Sequence, residues 1–312
     1  MSVFQSILKN PKKLLSPRKV LHALLGRLFP FWMRISRWVP SDRFYLKVFY
    51  YLAMHKKLDL NTPKTYTQKI QWLKLHNTNP LYSKMVDKYE VREIIIQELG
   101  EEYLIPLLGV WDQFDEIDFE KLPHEFVLKT THDSGSVIVC KDKAGFDHKS
   151  ARKKLTRALQ TNYFYKSREY PYKNAIPRII AEKFMHDESQ EELIDYKFFC
   201  FHGKPIILQI TQSRNGKKEV GCFNMEFQPM PFYTGNIKPD YARFSKPFCF
   251  EKMVEIAEKL SRYIVHVRID LYCINDQVYF GEYTFHNAGG IVRFSPPEWN
   301  KIMGDMIELP LR

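Results

Sequence analysis

The sequence predicts an α+β fold with mostly antiparallel sheets. Apolar residues at helical spacing dominate the chain up to about residue 123, whereas short β-branched and aromatic runs begin at Glu125. The last two runs, Val265–Ile274 and Val278–Thr284, are separated by a short polar turn and predict a terminal hairpin. Strands that are interspersed with helices and end in a hairpin are typical of this class.

The composition is that of a folded protein of 312 residues, 45% of them hydrophobic. A chain of this size can bury one large core or two smaller lobes. No run of about 18 apolar residues occurs and no signal peptide is evident, so we expect a cytoplasmic protein. The five cysteines are scattered and form no Cys-x-x-Cys pair, which predicts buried free thiols and neither a zinc site nor a disulfide framework.

The net charge of +11 is concentrated at the N-terminus. Residues 1–40 carry eight basic residues and no acidic residue, and removing these eight leaves 39 basic against 36 acidic residues. The body is therefore nearly balanced in charge, and we expect no nucleic-acid partner.

Residues 1–40 form a basic amphipathic segment. Pro17 is typical of a first helical position, and Pro30 is expected to end the helix. With Trp32 and Trp38 nearby, such a helix suits the headgroup layer of an anionic membrane, which would make the protein peripheral on the inner face of the plasma membrane. The alternative is a helix packed on the body with its basic side chains in solvent.

We divide the remaining chain into a mostly helical region, 41–123, and a strand-rich domain, 124–312. In the first region, Tyr66 to His76 predicts a short helix. Asp87, with Glu90 three residues on, predicts a second helix opened by a capping box.

The strand-rich domain is expected to be irregular over residues 212–249 and regular elsewhere. Helices are predicted over Lys149–Thr161 and Glu251–Tyr263. The strands expected before the terminal hairpin are Phe126–Thr130, Val137–Lys141, Ile179–Met185, Tyr196–Phe201 and Pro205–Ile210.

The terminal hairpin carries two acids, Asp270 and Glu282, in strands that otherwise read as buried. A buried carboxylate is costly unless it is paired or binds a cation, and Mg2+ takes one or two carboxylates together with substrate phosphates. The acids share a face only if the turn has three residues, Asn275–Gln277, or if a bulge shifts the register. A magnesium site and simple neutralisation by Arg268 both fit this pattern.

Two lysines form the second feature. Lys88 begins the helix after Asp87, and Lys129 lies in an apolar strand just before a polar loop, Thr131 to Ser136. Loop amides beside a lysine can cradle phosphates, although this loop has a single glycine, Gly135. The alternative is a lysine that extends its charge to solvent at a strand end.

The third feature is the strand Ile179–Met185, which ends with the charged pair Glu182 and Lys183. The strand suits a hinge between two lobes, where the backbone at the edge of the strand contacts a purine base. Taken alone, it suits an ordinary edge strand better.

In this order, the motifs resemble those of the ATP-grasp fold over about residues 85 to 290. The motifs are Asp87-Lys88, Lys129 before the loop, Glu182-Lys-Phe-Met, Arg268-x-Asp270 and Glu282. More closely, the chain is similar to the TupA-like branch, named for teichuronopeptide biosynthesis. The segments that carry this similarity begin at Lys69, Asp87, Leu104 and Asp195 and read KIQWLKL, DKYEVRE, LIPLLGV and DYKFFCFHGK.

The resemblance implies two α+β lobes with ATP between them, and it makes residues 124–312 the catalytic domain. It assigns the ATP phosphates to Lys88, Lys129 and the loop residues Ser134, Gly135 and Ser136. It assigns the adenine to Glu182, Lys183 and Phe184, and the ribose and nearby nucleotide atoms to Asp195 and Lys197. It assigns Mg2+ to Asp270, Glu282 and Thr284, and transition-state stabilisation to Arg268 and Lys129.

Two features depart from the usual ATP-grasp pattern. The asparagine that normally follows the second metal acid by two residues is replaced by Thr284, and Asn287 is the nearest substitute. The loop after Lys129 is also poorer in glycine than usual. Both departures concern the metal geometry and the closure of the loop.

The resemblance implies an ATP-dependent carboxylate–amine ligase with an acylphosphate intermediate, acting in bacterial capsular or other surface-polysaccharide biosynthesis. The expected substrates are a carboxylate and an amine, such as a uronic acid or a lipid-linked saccharide. The alternatives are a glycosyltransferase of the same pathway, a sugar or lipid kinase with the same ATP site, and a non-catalytic membrane adaptor. No clear Asp-x-Asp motif supports the glycosyltransferase.

Acceptor-binding residues are expected in 202–250 and from His286 onward, where aromatic and basic residues are plentiful. The candidates are Arg214, Tyr233, Arg243, His286 and Arg293. A structural role fits each of them at least as well.

Overall fold

A computed structural model describes residues 17–190, 192–214, 216–235 and 237–310. The side chains of residues 17–24 and of Arg214 lie outside this description, and so do residues 1–16 of the basic segment. The α-helices are α1 (Pro17–Arg34), α2 (Asp42–Met54), α3 (Tyr66–His76), α4 (Leu81–Val86), α5 (Val91–Glu98), α6 (His148–Leu159), α7 (Phe164–Ser167), α8 (Phe250–Ser261) and α9 (Trp299–Asp305).

Four antiparallel strands form the first sheet, in the order β1-β4-β2-β3. They are β1 (Leu107–Trp111), β2 (Phe126–Thr130), β3 (Val137–Cys140) and β4 (Ile179–Lys183). The core of this lobe contains Phe126 and Leu128 of β2 and Leu155 of α6, all fully buried. The first strand lies within the stretch 41–123 that was predicted to be mostly helical.

The expectation that β4 is an edge strand is wrong. It pairs with β1 on one side and with β2 on the other. Beyond these ladders, the amide of Lys183 donates to the carbonyl oxygen of Pro106. The apolar sequence of β4 reflects a central position, since its first three residues are completely buried.

Five antiparallel strands form the second sheet, in the order β10-β9-β5-β6-β7. They are β5 (Asp195–Phe201), β6 (Lys204–Arg214), β7 (Lys217–Phe223), β9 (His266–Ile274) and β10 (Gln277–Thr284), while β8 (Tyr233–Thr234) pairs separately with β11 (Phe294–Ser295). Strand β7 corrects the prediction that 212–249 is irregular. Its first residues are charged and exposed at the sheet edge, so no apolar alternation marks them.

The two faces of the second sheet have different surroundings. One face packs on α8, where Phe198, Ile269 and Met253 are fully buried. Because side chains alternate along a strand, Lys197 and Asp270 project from the opposite face and line a cleft. The predicted α+β fold with mostly antiparallel sheets is confirmed.

Helix α1 continues through Pro30 to Arg34, so the prediction that Pro30 ends it is wrong. The helix packs on α2: the ring centroids of Phe29 and Phe49 lie 5.2 Å apart, and Trp32 stacks on Tyr45 at 5.5 Å. This packing outweighs the backbone hydrogen bond that proline cannot donate. No helix in the described part of the chain is long and apolar enough to cross a membrane.

The prediction of free thiols holds for Cys140, Cys200 and Cys222, which are buried. It is wrong for Cys249 and Cys273, which form a disulfide with Cα atoms 6.5 Å apart. Packing of α8 on β9 brings these residues together across 24 positions of sequence. Sequence spacing alone carries no signal for such a contact.

Candidate active site

The hairpin β9–β10 places Asp270 directly opposite Glu282. Its turn has two residues, Asn275 and Asp276, with φ of 49° and 60°, as a type I′ turn requires. Such a turn alone would leave the acids on opposite faces. A bulge at Gly281 supplies the extra residue and shifts the register. The bulge, and not the three-residue turn, is the alternative that the structure confirms.

Gly281 allows this bulge because it has no side chain. A Cβ at this position would lie 2.9 Å from the carbonyl oxygen of Asp270 and 3.1 Å from the ring of Tyr272. The first contact is with backbone and cannot be relieved by a rotamer change. Glu282 beyond the bulge and Phe280 before it both line the cleft, but only Phe280 of the two also packs in the hydrophobic core.

Arg268 binds the acid pair on the same face. Its guanidinium donates to both oxygens of Asp270 at 2.6 and 2.7 Å, and to Glu282 Oε1 at 3.2 Å. It also donates to Thr284 Oγ1 at 3.0 Å and to Asn287 Oδ1 at 2.5 Å. The arginine therefore contacts every residue considered as a metal ligand. Glu282 Oε2 has no hydrogen-bond partner among the described residues.

Lys197 approaches Asp270 from the neighbouring strand. Its Nζ lies 3.0 Å from Asp270 Oδ2 and 3.1 Å from Asp195 Oδ2. Burial alone would raise the pKa of Asp270, but Arg268 and Lys197 outweigh it and lower that pKa below its usual value. Asp270 is therefore a carboxylate at neutral pH.

The first sheet contributes a second ion pair across the cleft. Lys129 Nζ lies 2.5 Å from Glu182 Oε2, and Arg92 lies 3.8 Å from the other oxygen of Glu182. Sequence reasoning missed Arg92. Its spacing of four from Lys88 is a signal that could have found it, because a helix predicted from Asp87 would place both residues on one face.

Lys88 links the start of the α5 region to the polar loop. Its amide donates to the carbonyl of Thr131 at 3.1 Å, and its Nζ donates to the carbonyl of Asp133 at 2.5 Å. Burial lowers the pKa of Lys88, and the nearby Glu282 and Asp133 offset this only in part. The lysine thus lies between the loop and the acid pair.

The prediction that Asp87 begins the helix is wrong, because α5 begins at Val91 and its N-cap residue, Glu90, makes no side-chain cap hydrogen bond. Asp87 instead caps the turn that precedes the helix. Asp87 Oδ1 accepts from the amides of Tyr89 and Glu90 at 2.9 and 3.0 Å. The Glu90 carboxylate does not return to the backbone and instead pairs with Arg178 at 2.6 Å. The cap fixes the position of Lys88, the residue between Asp87 and Tyr89.

These residues line one continuous cleft between the two sheets. The inner part, of about 230 Å3, is lined by Lys88, Arg92, Lys129, Glu182, Asp195, Lys197, Asp270 and Glu282. The outer part, of about 450 Å3, is lined by Lys183, Phe184 and apolar side chains of both sheets. Ile105, Lys129, Glu182 and Tyr272 line both parts. Ile105 and Tyr272 were not predicted.

The predicted phosphate loop lies to one side of this cleft. Ser134 and Ser136 line a separate groove, and Ser134 also lines a second cavity behind the acid pair. Gly135 has a positive φ of 102°, which glycine accepts without strain. The structure therefore brings together the predicted lysines and acids, but not the loop side chains.

The second cavity, of about 390 Å3, adjoins the acid pair. Arg268, Glu282, Thr284 and His286 line it. Of the predicted acceptor residues whose side chains are described, only His286 does so. Arg243 pairs with Glu219 and Asp240, Arg293 donates to the carbonyl of Ala53, and Tyr233 lies in β8.

Buried polar groups beside this cavity were missed by sequence reasoning. Lys74 donates to the carbonyls of Ser167 and Gly289 at 2.7 Å each, and burial lowers the pKa of Lys74 to about 8. Glu169 lies 3.6 Å from His286 and lines the same cavity. These residues come from three distant segments, so no local pattern predicts them.

The acid pair fits a magnesium ion that takes further ligands from phosphates and water. Among the described residues, no three Asp, Glu, His or Cys side chains converge on one point. Mg2+ commonly uses one or two protein carboxylates in such sites. Asp270 and Glu282 meet that requirement, and Glu282 Oε2 is unengaged within the described structure.

Two antiparallel sheets with opposed lysines and an acid pair in the cleft between them define a protein of the ATP-grasp class. The chain belongs to the TupA-like ATP-grasp family, whose model matches residues 68–308. No curated protein matches the chain significantly.

Solved structures with a similar fold have low sequence identity. A D-alanine–D-alanine ligase from Bacillus anthracis is 15% identical, with TM-score 0.40, over 75% of this chain and 71% of that one. An N5-carboxyaminoimidazole synthetase from Staphylococcus aureus, complexed with ADP, is 15% identical with TM-score 0.37. That match covers 86% of this chain and 58% of the synthetase, less than two thirds of its length. A RimK domain ATP-grasp protein from Sphaerobacter thermophilus is 11% identical with TM-score 0.37, and the match covers 72% of this chain and 69% of that one. The assignment rests on the family match and not on these structures.

Proposed function

We propose that the protein is an ATP-dependent carboxylate–amine ligase that uses Mg-ATP in the cleft between the sheets. The observation that carries the proposal is the position of Glu282. This carboxylate lines both the inner cleft and the second cavity. A ligase needs such an arrangement, because the terminal phosphate must meet a second substrate at one point.

The chemistry of the cleft matches the parts of ATP. The outer part offers Val127, Phe184 and Leu193, which suit a flat purine, and Glu182 is a hydrogen-bond acceptor for its amino group. The inner part offers Lys88, Lys129 and Lys197 to the phosphates. We assign the ribose to Asp195, which lines the inner part beside Lys197.

Magnesium would be held by Asp270, Glu282 and Thr284. When bound, it neutralises charge on the phosphates. Arg268 lies beside the same residues. Its guanidinium would stabilise negative charge on the phosphoryl group as that group moves towards the second cavity.

The proposed reaction has two steps. A carboxylate oxygen attacks the γ-phosphorus, the bond from that phosphorus to the β–γ bridging oxygen breaks, and ADP leaves with an acylphosphate formed. An amine nitrogen then attacks the acyl carbon, the C–O bond to phosphate breaks, and inorganic phosphate leaves. The attacking primary amine, R-NH2, loses one proton to solvent and keeps the other, and the product is an amide.

The finer proposal is that the substrates belong to surface-polysaccharide biosynthesis, with a uronic acid as the carboxylate. Membership of the TupA-like family supports it. We also propose peripheral contact with an anionic membrane, since Leu28 and Phe31 of α1 are 52% and 59% exposed beside basic residues. Vesicle sedimentation with and without residues 1–40 tests that contact.

The experiment that tests the ligase is phosphate release from ATP with panels of uronic acids and amino acids. We expect release to rise only when a suitable carboxylate is present, and an amide to form when an amine is added. ADP formation without any carboxylate requirement, with phosphate transferred to a hydroxyl, would indicate a kinase and contradict the proposal.

A further inference from the structure

A basic groove flanks the second cavity and has no part in the proposed function so far. It has a volume of about 780 Å3 and lies between the end of α1 and the helix α6. Among the described residues, its lining contains six basic side chains and a single acidic one. The basic residues are Arg34, Arg37, Lys153, Lys154, Arg157 and Lys166.

The helix α6 presents its charge to this groove in a regular way. Ser150, Lys153, Lys154 and Arg157 lie at helical spacings of three and four, and therefore on one face. The opposite face is buried through Leu155 and its neighbours. The residues that α6 contributes to the groove are thus the polar face of an amphipathic helix, and they are not scattered surface lysines.

Most of these charges have no acidic partner. Lys154 donates to the carbonyl of Val137 at 2.8 Å, whereas Arg34, Lys153 and Arg157 make no ion pair within the described residues. The one acid, Asp133, is already engaged, because it accepts hydrogen bonds from Thr130 and Ser136. Uncompensated like charges repel and disfavour the compact state unless an anion binds among them.

The groove opens into the second cavity. Met33, Ser134, Tyr163 and Lys166 line both spaces. Burial raises the pKa of Tyr163 to about 12, so its hydroxyl remains a hydrogen-bond donor at the junction. A ligand in the groove could therefore extend its other end to the acid pair.

We propose that this groove binds the phosphate or pyrophosphate group of the second substrate, whose reacting end lies in the cavity beside Arg268 and Glu282. Arginine and lysine side chains without partners bind phosphate oxygens well. The volume is that of a site for a molecule of metabolite size. The proposal rests on the proposed function, since it names the class of substrate that the ligase takes.

The test is calorimetric titration of the full chain with inorganic pyrophosphate, with the Mg2+ complex of a non-hydrolysable ATP analogue saturating and no further Mg2+ added, so that all three phosphate positions of the nucleotide cleft are closed to the probe. The variant is Lys153→Glu/Arg157→Glu. The control is Lys149→Glu/Lys218→Glu, which makes the same change in net charge at two exposed positions outside the groove. Mg-ADP binding is measured first for every protein.

We expect the wild-type protein to bind pyrophosphate, the groove variant to bind it at least tenfold more weakly, and the control to bind within twofold of wild type. Equal weakening in the control, or no binding by the wild type, overturns the proposal. So does binding of the groove to phosphatidylglycerol vesicles without binding of pyrophosphate. If Mg-ADP fails to bind, pyrophosphate binding that is weakened in the groove variant but not in the control still supports the groove and contradicts only the nucleotide site.

Discussion

Asp270 and Glu282 face each other across the terminal hairpin only because Gly281 adds one residue to β10. The two-residue turn would otherwise send Glu282 into the core on the α8 side. The metal site proposed here therefore depends on a backbone irregularity that a single side chain would disturb.

Gly281→Ala should damage the site and the fold together. The added Cβ would meet the Asp270 carbonyl oxygen at 2.9 Å, so the bulge must shift or be lost. We expect a loss of about 1–3 kcal/mol in the free energy of unfolding, measured in urea, and a loss of Mg-ADP binding. Gly145→Ala is the control, because its nearest neighbour would be a side-chain atom 3.5 Å away. Unchanged Mg-ADP binding by Gly281→Ala would argue against the role of the bulge.

Lys129→Met should weaken nucleotide binding. Lys129 is the cation that lines both parts of the cleft, and a hydrogen bond to a charged group contributes about 1.5–3 kcal/mol. We expect at least about a tenfold rise in the Kd for Mg-ADP, measured by calorimetry. Lys121→Met removes an exposed lysine that forms an ion pair with Asp118, and it should leave the Kd unchanged. Equal effects of the two changes on the Kd would show that Lys129 does not contact the nucleotide.

Thr284, and not Asn287, should complete the metal site. Both Thr284 Oγ1 and Asn287 Oδ1 accept from Arg268, but Thr284 Oγ1 also donates to Glu282 Oε1 at 3.1 Å and lines the second cavity. We expect Thr284→Val to raise the Mg2+ concentration needed for half-maximal ADP binding severalfold. Asn287→Leu should lower stability with little change in the Mg2+ requirement. The reverse pattern would assign the ligand to Asn287.

Stability should fall in mild acid because of His266. Its Nδ1 donates to the Cys200 carbonyl at 2.8 Å, and its Nε2 accepts from Tyr66 at 3.0 Å. Burial lowers its pKa from 6.5 to about 3. Between these values the unfolded chain binds the extra proton, so stability decreases as the pH falls, by about 1.4 kcal/mol per pH unit.

His266→Gln keeps polar atoms at this position but cannot titrate there. We expect urea unfolding between pH 6.0 and 4.5 to show a flatter pH dependence for this variant than for the wild type. The variant should be less stable at pH 7.5, so the quantity to compare is the slope of the free energy of unfolding against pH. Parallel slopes for the two proteins would show that His266 does not titrate on unfolding.

Much of the site could be predicted because its motifs are local. Lys88 lies beside a capping residue, and the acids of the hairpin are placed by a register rule with few solutions. Arg92, Lys74 and Glu169 were missed because tertiary contacts alone give them a role. Strand β7 and the continuation of α1 through Pro30 were missed because packing outweighed local preference.

The measurement that tests the central claim most directly is calorimetric binding of Mg-ADP to the wild type and to Glu282→Gln. Glu226→Gln, in an exposed turn, serves as the control. We predict that the wild type and the control bind Mg-ADP with the same affinity and that Glu282→Gln binds it at least about tenfold more weakly. Equal affinity of all three proteins, or no binding by the wild type, would contradict a Mg-ATP site between the two sheets.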